Sequence, residues 1–190
     1  MLRPGDPGYL NSANGVHMTI QASPATTYVR LLNLLDDHEI GYRVIDHSPE
    51  GHTETASTIR GHLLPQAAKS MVIKVLVERF ALCVVPGDAR VDLDAVRRLY
   101  GGTRAKLAPA ETAERLAGSA CGTIAPFSLI PGALDLIADP SLLEQDLLYF
   151  NAARLDRSLA VATEDYIRVA NPRLEHVATR QRPSAAGGSS

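Results

Sequence analysis

Two apolar, β-branched runs, residues 71–77 and 80–85, stand only two positions apart, with Glu78 and Arg79 between them. Runs of this make-up form strands, and so short a polar gap connects them as a hairpin. That hairpin commits the middle of the chain to a sheet. Helices are signalled on both sides of it. Tyr28, Leu31, Leu32 and Leu35 recur at helical spacing, Thr26 or Thr27 can cap them, and Gly41 follows. Residues 42–45 read as a short strand, and 53–60 as a short polar helix stopped by Gly61. Asp92 caps a further helix with Leu93, Val96 and Leu99 inward, Arg97 and Arg98 near its C-terminus, and Gly101 after it. Pro109 opens another at its first position, and Gly118 closes it. Strands at 134–138, 147–150 and 158–162 precede a last helix from Thr163 that ends before Pro172.

Hairpin-linked strands mixed with segregated helices give an α+β class, not a βαβ alternation. A chain of 190 residues can bury a full core as one domain. We expect that domain at residues 24–178. Residues 1–23 are expected to be a flexible tail and 179–190 a disordered one, the latter ending in Pro, Ala, Gly and Ser. Met18 is an alternative start.

Charge and cysteine content exclude several classes. The net charge of −2 argues against a general DNA binder and leaves room only for a local basic groove. Two cysteines, Cys83 and Cys121, cannot build a disulfide framework or a zinc knuckle. No apolar run is long enough to span a bilayer, and residues 1–15 lack a signal-type apolar stretch, so a cytoplasmic protein is expected. The six histidines form no H-x-x-x-H or H-E-x-x-H pair, so no metal site is expected. A P-loop, a G-x-G-x-x-G fingerprint and a G-x-S-x-G elbow are absent, and no cofactor is expected.

Two segments carry candidate chemistry. Lys69 opens a strand that is otherwise apolar, with Lys74 at the opposite strand parity. A lysine there is either a solvated strand end or a fixed cation that holds a phosphate or an ester oxygen. The second segment is GTIAPFS, comprising Gly122, Thr123, Ile124, Ala125, Pro126, Phe127 and Ser128. Its glycine and proline make either a plain turn or a rigid loop whose backbone touches a ligand.

In these residues the chain resembles the YbaK/EbsC and prolyl-tRNA-synthetase insertion-domain superfamily of aminoacyl-tRNA deacylases. Lys69 matches the superfamily's functional lysine, and Gly122 to Pro126 its G-x-x-x-P loop. GHTETASTIRG at 51–61, QAAK at 66–69, ADP at 138–140, FNAARLDRS at 150–158 and DYIRV at 165–169 look closest to the YeaK-like branch. The similarity runs over residues 28–174, with Ala153 where many relatives have glycine and Ile-Ala-Pro where others have Pro-Pro or Ser-Pro.

The resemblance implies a YbaK-like domain with a central, largely antiparallel sheet and surrounding helices. It implies trans-editing, the hydrolysis of the ester between a small amino acid (Ser or Thr, with Ala a further candidate) and the terminal adenosine of tRNA. Lys69 and Gly122 would then be catalytic, with the rest of the 122–128 loop, Arg60, Asn151 and Asp165 binding substrate. The residues by themselves also allow Asn151 as a turn residue, Asp165 as a first-turn helix acid and Arg60 as a helix-end cation. The implied partners are the 3′ end of aminoacyl-tRNA and an aminoacyl-tRNA synthetase. The rival class is a non-catalytic module of the same fold that binds tRNA or a synthetase.

Overall fold

The computed structural model describes residues 24–180; the expectations for residues 1–23 and 181–190 lie outside the described residues. In chain order these form α1 (Pro24–Asp37), β1 (Tyr42–Asp46), α2 (Thr53–Arg60), β2 (Ala68–Lys74), β3 (Phe80–Pro86), β4 (Ala89–Val91), α3 (Leu93–Leu99), β5 (Lys106–Leu107), α4 (Ala110–Ala117), β6 (Asp135–Ala138), β7 (Leu147–Asn151), β8 (Arg157–Ala162), α5 (Thr163–Ala170), β9 (Arg173–Leu174) and β10 (Ala178–Arg180). The class is α+β.

The expected hairpin is β2–β3, antiparallel from Ala68 opposite Pro86 to Lys74 opposite Phe80. It lies at the centre of a five-stranded sheet ordered β5-β2-β3-β6-β9. Pairing is antiparallel on the β2 side, but β3–β6 and β6–β9 are parallel. The central sheet is therefore mixed. The chain leaves β3 through β4, α3, β5 and α4 before returning as β6, a connection long enough for a parallel neighbour. The second sheet, β1-β8-β7, is antiparallel throughout.

β3 is apolar along its whole length because both its faces are covered. Leu82 and Val84 join the larger core with Leu31, Leu35, Phe150 and Tyr166. Ala81, Cys83 and Val85 face the smaller one with Ile73, Val96 and Ile137. Leu82 is fully buried, so its truncation to alanine removes about 2–5 kcal/mol.

Helix ends follow their local chemistry. Asp92 accepts from the N–H groups of Asp94 and Ala95 at 2.9 and 3.0 Å. Gly61 and Gly118 close α2 and α4 in the left-handed region. Four local expectations are corrected. Helix α1 is already formed at Pro24, so Thr26 and Thr27 lie within it, and Thr27 Oγ1 instead donates to the Gly118 carbonyl at 2.6 Å. Pro109 is the cap of α4, one position before its first turn. Leu93 is exposed, because the first residue of α3 projects past the core that Val96 enters. Finally, the domain runs past residue 178. Thr179 and Arg180 pair with Arg90 and Ala89 as strand β10, a register that residue types alone do not announce.

Candidate active site

The two sheets meet where Ala67 bridges Tyr149, which brings the start of β2 against β7. At this junction α2, β2, the approach to α4 and the 121–124 loop enclose a cleft of about 360 Å³. That is at the small end of the range for ligand sites. Its walls are mostly apolar, with polar groups from Arg60, Lys69, Ser70, Tyr149 and Asn151.

Lys69 sits at the second position of β2, half-buried in this cleft. Its Nζ donates to the Gly87 carbonyl at 3.1 Å and to the Ala89 carbonyl. The turn between β3 and β4 thus fixes the ammonium and occupies two of its three donors. Gly87 is needed for that turn, since a Cβ there would stand 2.5 Å from the Leu64 carbonyl oxygen. Burial lowers the Lys69 pKa, with the Glu54 and Asp88 carboxylates opposing and Arg90 assisting.

Gly122 is the second fixed point. Its φ is +85°, and a Cβ would lie 3.1 Å from both Cα and O of Gly51. Two backbone segments therefore touch here, the 50–52 approach to α2 and the 121–124 loop. Asn151, the last residue of β7, ties them together. Its Nδ2 donates to the Glu50 carbonyl at 2.9 Å and to the Gly122 carbonyl at 2.8 Å. Its Oδ1 accepts from Ser158 Oγ at 3.0 Å, and His47 Nε2 lies 2.7 Å from that same hydroxyl. Arg60 donates to Ser158 Oγ at 3.1 Å and to the Ala56 carbonyl at 3.0 Å. Desolvation lowers its pKa to about 10, which leaves it charged at neutral pH. No carboxylate among the described residues pairs with it, so its charge remains available to an anion in the cleft.

Lys69, Gly122, Ile124, Arg60 and Asn151 thus share one cleft. The other expected residues do not reach it. Thr123 is buried, its hydroxyl donating to the Ala120 carbonyl at 2.7 Å. Ala125 and Pro126 are buried behind the loop. Phe127 belongs to the larger core, edge-on to Phe150 and Tyr166. Ser128 donates to the Leu134 carbonyl at 3.0 Å. Asp165 is in the first turn of α5 and pairs with Arg168 at 2.6 Å. The start of the loop, Cys121, Gly122 and Ile124, lines the cleft, while Thr123 and then Ala125 to Phe127 are buried away from it.

Sequence reasoning missed Ser70, Tyr149 and Ser158. Each lies in a strand that also carries a more strongly polar residue, Lys69, Asn151 and Arg157 respectively, so none stood out. Ser70 Oγ is buried without a hydrogen-bond partner, and Tyr149 stacks on His62 at 4.0 Å between ring centres.

Among the described residues no Asp, Glu or His lines the cleft. Cys121 does, but burial and then Glu114 raise its thiol pKa, which keeps it neutral. Among the described residues no three His, Cys, Asp or Glu side chains are grouped as metal ligands. A fixed ammonium, an unpaired guanidinium and a rigid backbone loop suit binding and polarisation of a charged ester, without a protein acid–base pair.

The family of this chain is shown by comparison: the aminoacyl-tRNA editing domain matches residues 47–169. The chain belongs to that family. It is 40% identical over 161 residues to the Multifunctional Ser/Thr-tRNA deacylase ProXp-y of Escherichia coli K12, covering 83% of this chain and 96% of that protein. The protein of the same name in Escherichia coli O157:H7 matches to the same extent. Among solved structures, a candidate trans-editing enzyme for prolyl-tRNA synthetase superposes with a TM-score of 0.70 at 21% identity, over 80% of this chain and 97% of that one. A hypothetical protein superposes with a TM-score of 0.73 at 18% identity, over 79% and 99%. These two show the same fold. Among the described residues no helix is long and apolar enough to cross a membrane.

Proposed function

We propose that this chain is a free-standing aminoacyl-tRNA deacylase that hydrolyses the ester of Ser or Thr wrongly attached to tRNA, in the cleft between Lys69 and Gly122. The observation that carries the reading is 40% identity to a Ser/Thr-tRNA deacylase over nearly that protein's whole length. The cleft supports it. Its volume of about 360 Å³ admits a small aminoacyl group with part of the terminal adenosine.

In the reaction, water adds to the ester carbonyl, the acyl–oxygen bond breaks, and the ribose oxygen leaves with a proton as the free amino acid departs. Lys69 polarises the ester or holds the terminal phosphate through its remaining donor. Arg60 supplies a second cation. Gly122 and Ile124 bound the aminoacyl pocket. With no carboxylate or imidazole in the lining among the described residues, a ribose hydroxyl of the substrate orients the attacking water. The pocket excludes large side chains by size, whereas telling Ser from Thr by one methyl yields only about 1–3 kcal/mol. Both are therefore accepted.

Asp165, Thr123, Ala125, Pro126, Phe127 and Ser128 support the fold around this site. We assign the cytoplasm as the setting, where charged tRNA is made, and a synthetase as the source of the mischarged substrate. A deacylation screen over singly mischarged tRNAs tests the reading. Hydrolysis of Ser-tRNA and Thr-tRNA, with slower action on bulky residues, is expected. Binding of tRNA without turnover on any of them would instead identify a binding module.

A further inference from the structure

A second groove, of about 290 Å³, opens beside the β2–β3 turn and is lined by Lys74, Leu76, Val77, Thr103, Arg104 and Lys106, with Val75 behind them. Among the described residues no acidic side chain lines it. Arg104 and Lys106 are exposed and Lys74 is half-exposed. Nine ion pairs neutralise other charges among the described residues, but none includes these three cations. Lys74 only overlies the Phe80 ring, 5.8 Å from its centre, which leaves the charge in place.

The groove continues the floor of the cleft. On β2, Ser70, Val72 and Lys74 point to one face by strand alternation. On the neighbouring strand Lys106 is opposite Lys74, and Ala108 N–H donates to the Val72 carbonyl at 2.9 Å. Ser70, Val72 and Ala108 line the cleft. One further step along both strands, about 7 Å, therefore passes from the aminoacyl pocket to the paired lysines.

We propose that Lys74, Arg104 and Lys106 form a phosphate-binding track for the tRNA 3′ arm, which fixes the RNA strand as it enters the cleft. The inference rests on the deacylase reading above and names where its substrate docks. A chain with a net charge of −2 has no general attraction for RNA, so affinity must come from an unneutralised local cluster. The three side chains bind phosphate oxygens as cations and take no part in ester cleavage.

The test compares the full chain with Lys74→Ala/Arg104→Ala/Lys106→Ala, and with Lys74→Arg/Lys106→Arg. Binding of uncharged tRNA is measured across a salt series and binding to anionic phospholipid vesicles beside it, and kcat and KM are measured on Ser-tRNA and on a short seryl-adenosine ester. The triple alanine variant should raise Kd and KM for tRNA by about tenfold or more at moderate salt. It should also flatten the slope of log K against log salt by roughly 0.7–0.9 for each phosphate that is no longer neutralised. Its turnover of the short ester should be unchanged, and the arginine variant should keep tRNA affinity. An unchanged Kd and salt slope would overturn the track. So would a loss of turnover on the short ester, or intact tRNA binding with lost binding to anionic phospholipid vesicles. Because the binding arm needs no catalysis, it decides this inference even if the parent chain fails to deacylate Ser-tRNA.

Discussion

Asn151 Nδ2 donates to the carbonyl oxygen of Gly122 at 2.8 Å, while also holding the Glu50 carbonyl at 2.9 Å. One amide therefore joins two touching loops, both of which line the cleft. Asn151→Ala leaves both carbonyls without this donor. The loss should cost about 1–3 kcal/mol of stability. The freed loop should lower kcat/KM on Ser-tRNA by about 100-fold, since small displacements near a reacting ester are expensive. A denaturant melt and a rate on Ser-tRNA measure the two effects. A variant with parental kinetics would show that the two loops are held by something else.

Gly122→Ala tests the same contact from the other side. The added methyl must fit 3.1 Å from the Gly51 backbone, at a φ of +85° that alanine rarely adopts. We expect a stability loss of about 1–3 kcal/mol and near-complete loss of deacylation. Full activity with a lowered melting temperature would mean that the loop's position does not govern catalysis.

Lys69→Ala should reduce turnover to near the background rate. It should also lower stability by about 1–3 kcal/mol, because the Gly87 and Ala89 carbonyls lose their donor. Lys69→Arg should be impaired as well: a planar guanidinium cannot take the place of a compact ammonium between those carbonyls. Turnover of Lys69→Ala within twofold of the parent would remove Lys69 from the mechanism, and an unimpaired Lys69→Arg would show that the site needs only a cation, not a compact ammonium.

How far these features could be read in advance depended on whether their cause was local. Helix α2 was legible to the residue, because Gly61 ends it by its own backbone freedom. Lys69 stood out as a charge opening an apolar strand. Asn151 could be named, yet its role could not. The two carbonyls it joins are 101 and 29 residues away in sequence. Phe127 and Ser128 were misplaced for the converse reason. They adjoin Gly122 and Ile124 in sequence, but Phe127 packs into the core and the Ser128 hydroxyl turns to the Leu134 carbonyl. Strands β9 and β10 are two and three residues long and are held by partners, so no periodicity announces them.

Asp139 gives the fold an acid-sensitive joint. Burial opposes its ionisation, but hydrogen bonds from Ser141 and from the N–H groups of Val177 and Ala178 outweigh this and hold its pKa below 3.8. A depressed folded value means that the folded state favours the carboxylate. The contribution is therefore complete above about 3.8, the unfolded value, and is lost as the pH falls through the lower folded one. Asp139→Asn should be less stable than the parent at pH 7 by about 2 kcal/mol or more, given two main-chain donors at 2.8 and 2.7 Å. Its deficit should shrink once the pH drops below 3.8. Melts of both proteins between pH 7 and pH 2 decide this, and a pH-independent difference would refute the assignment.

The most direct measurement is single-turnover hydrolysis of Ser-tRNA by the purified chain, run beside a tRNA that ends in 2′-deoxyadenosine and carries serine on the 3′ oxygen. The normal substrate should be cleared at least about 100-fold faster than its spontaneous decay, and the deoxy substrate should bind comparably but lose on the order of 100-fold in rate. Decay of normal Ser-tRNA at the spontaneous rate would contradict the assignment as a deacylase, and equal rates on the two substrates would contradict the role given to the ribose hydroxyl.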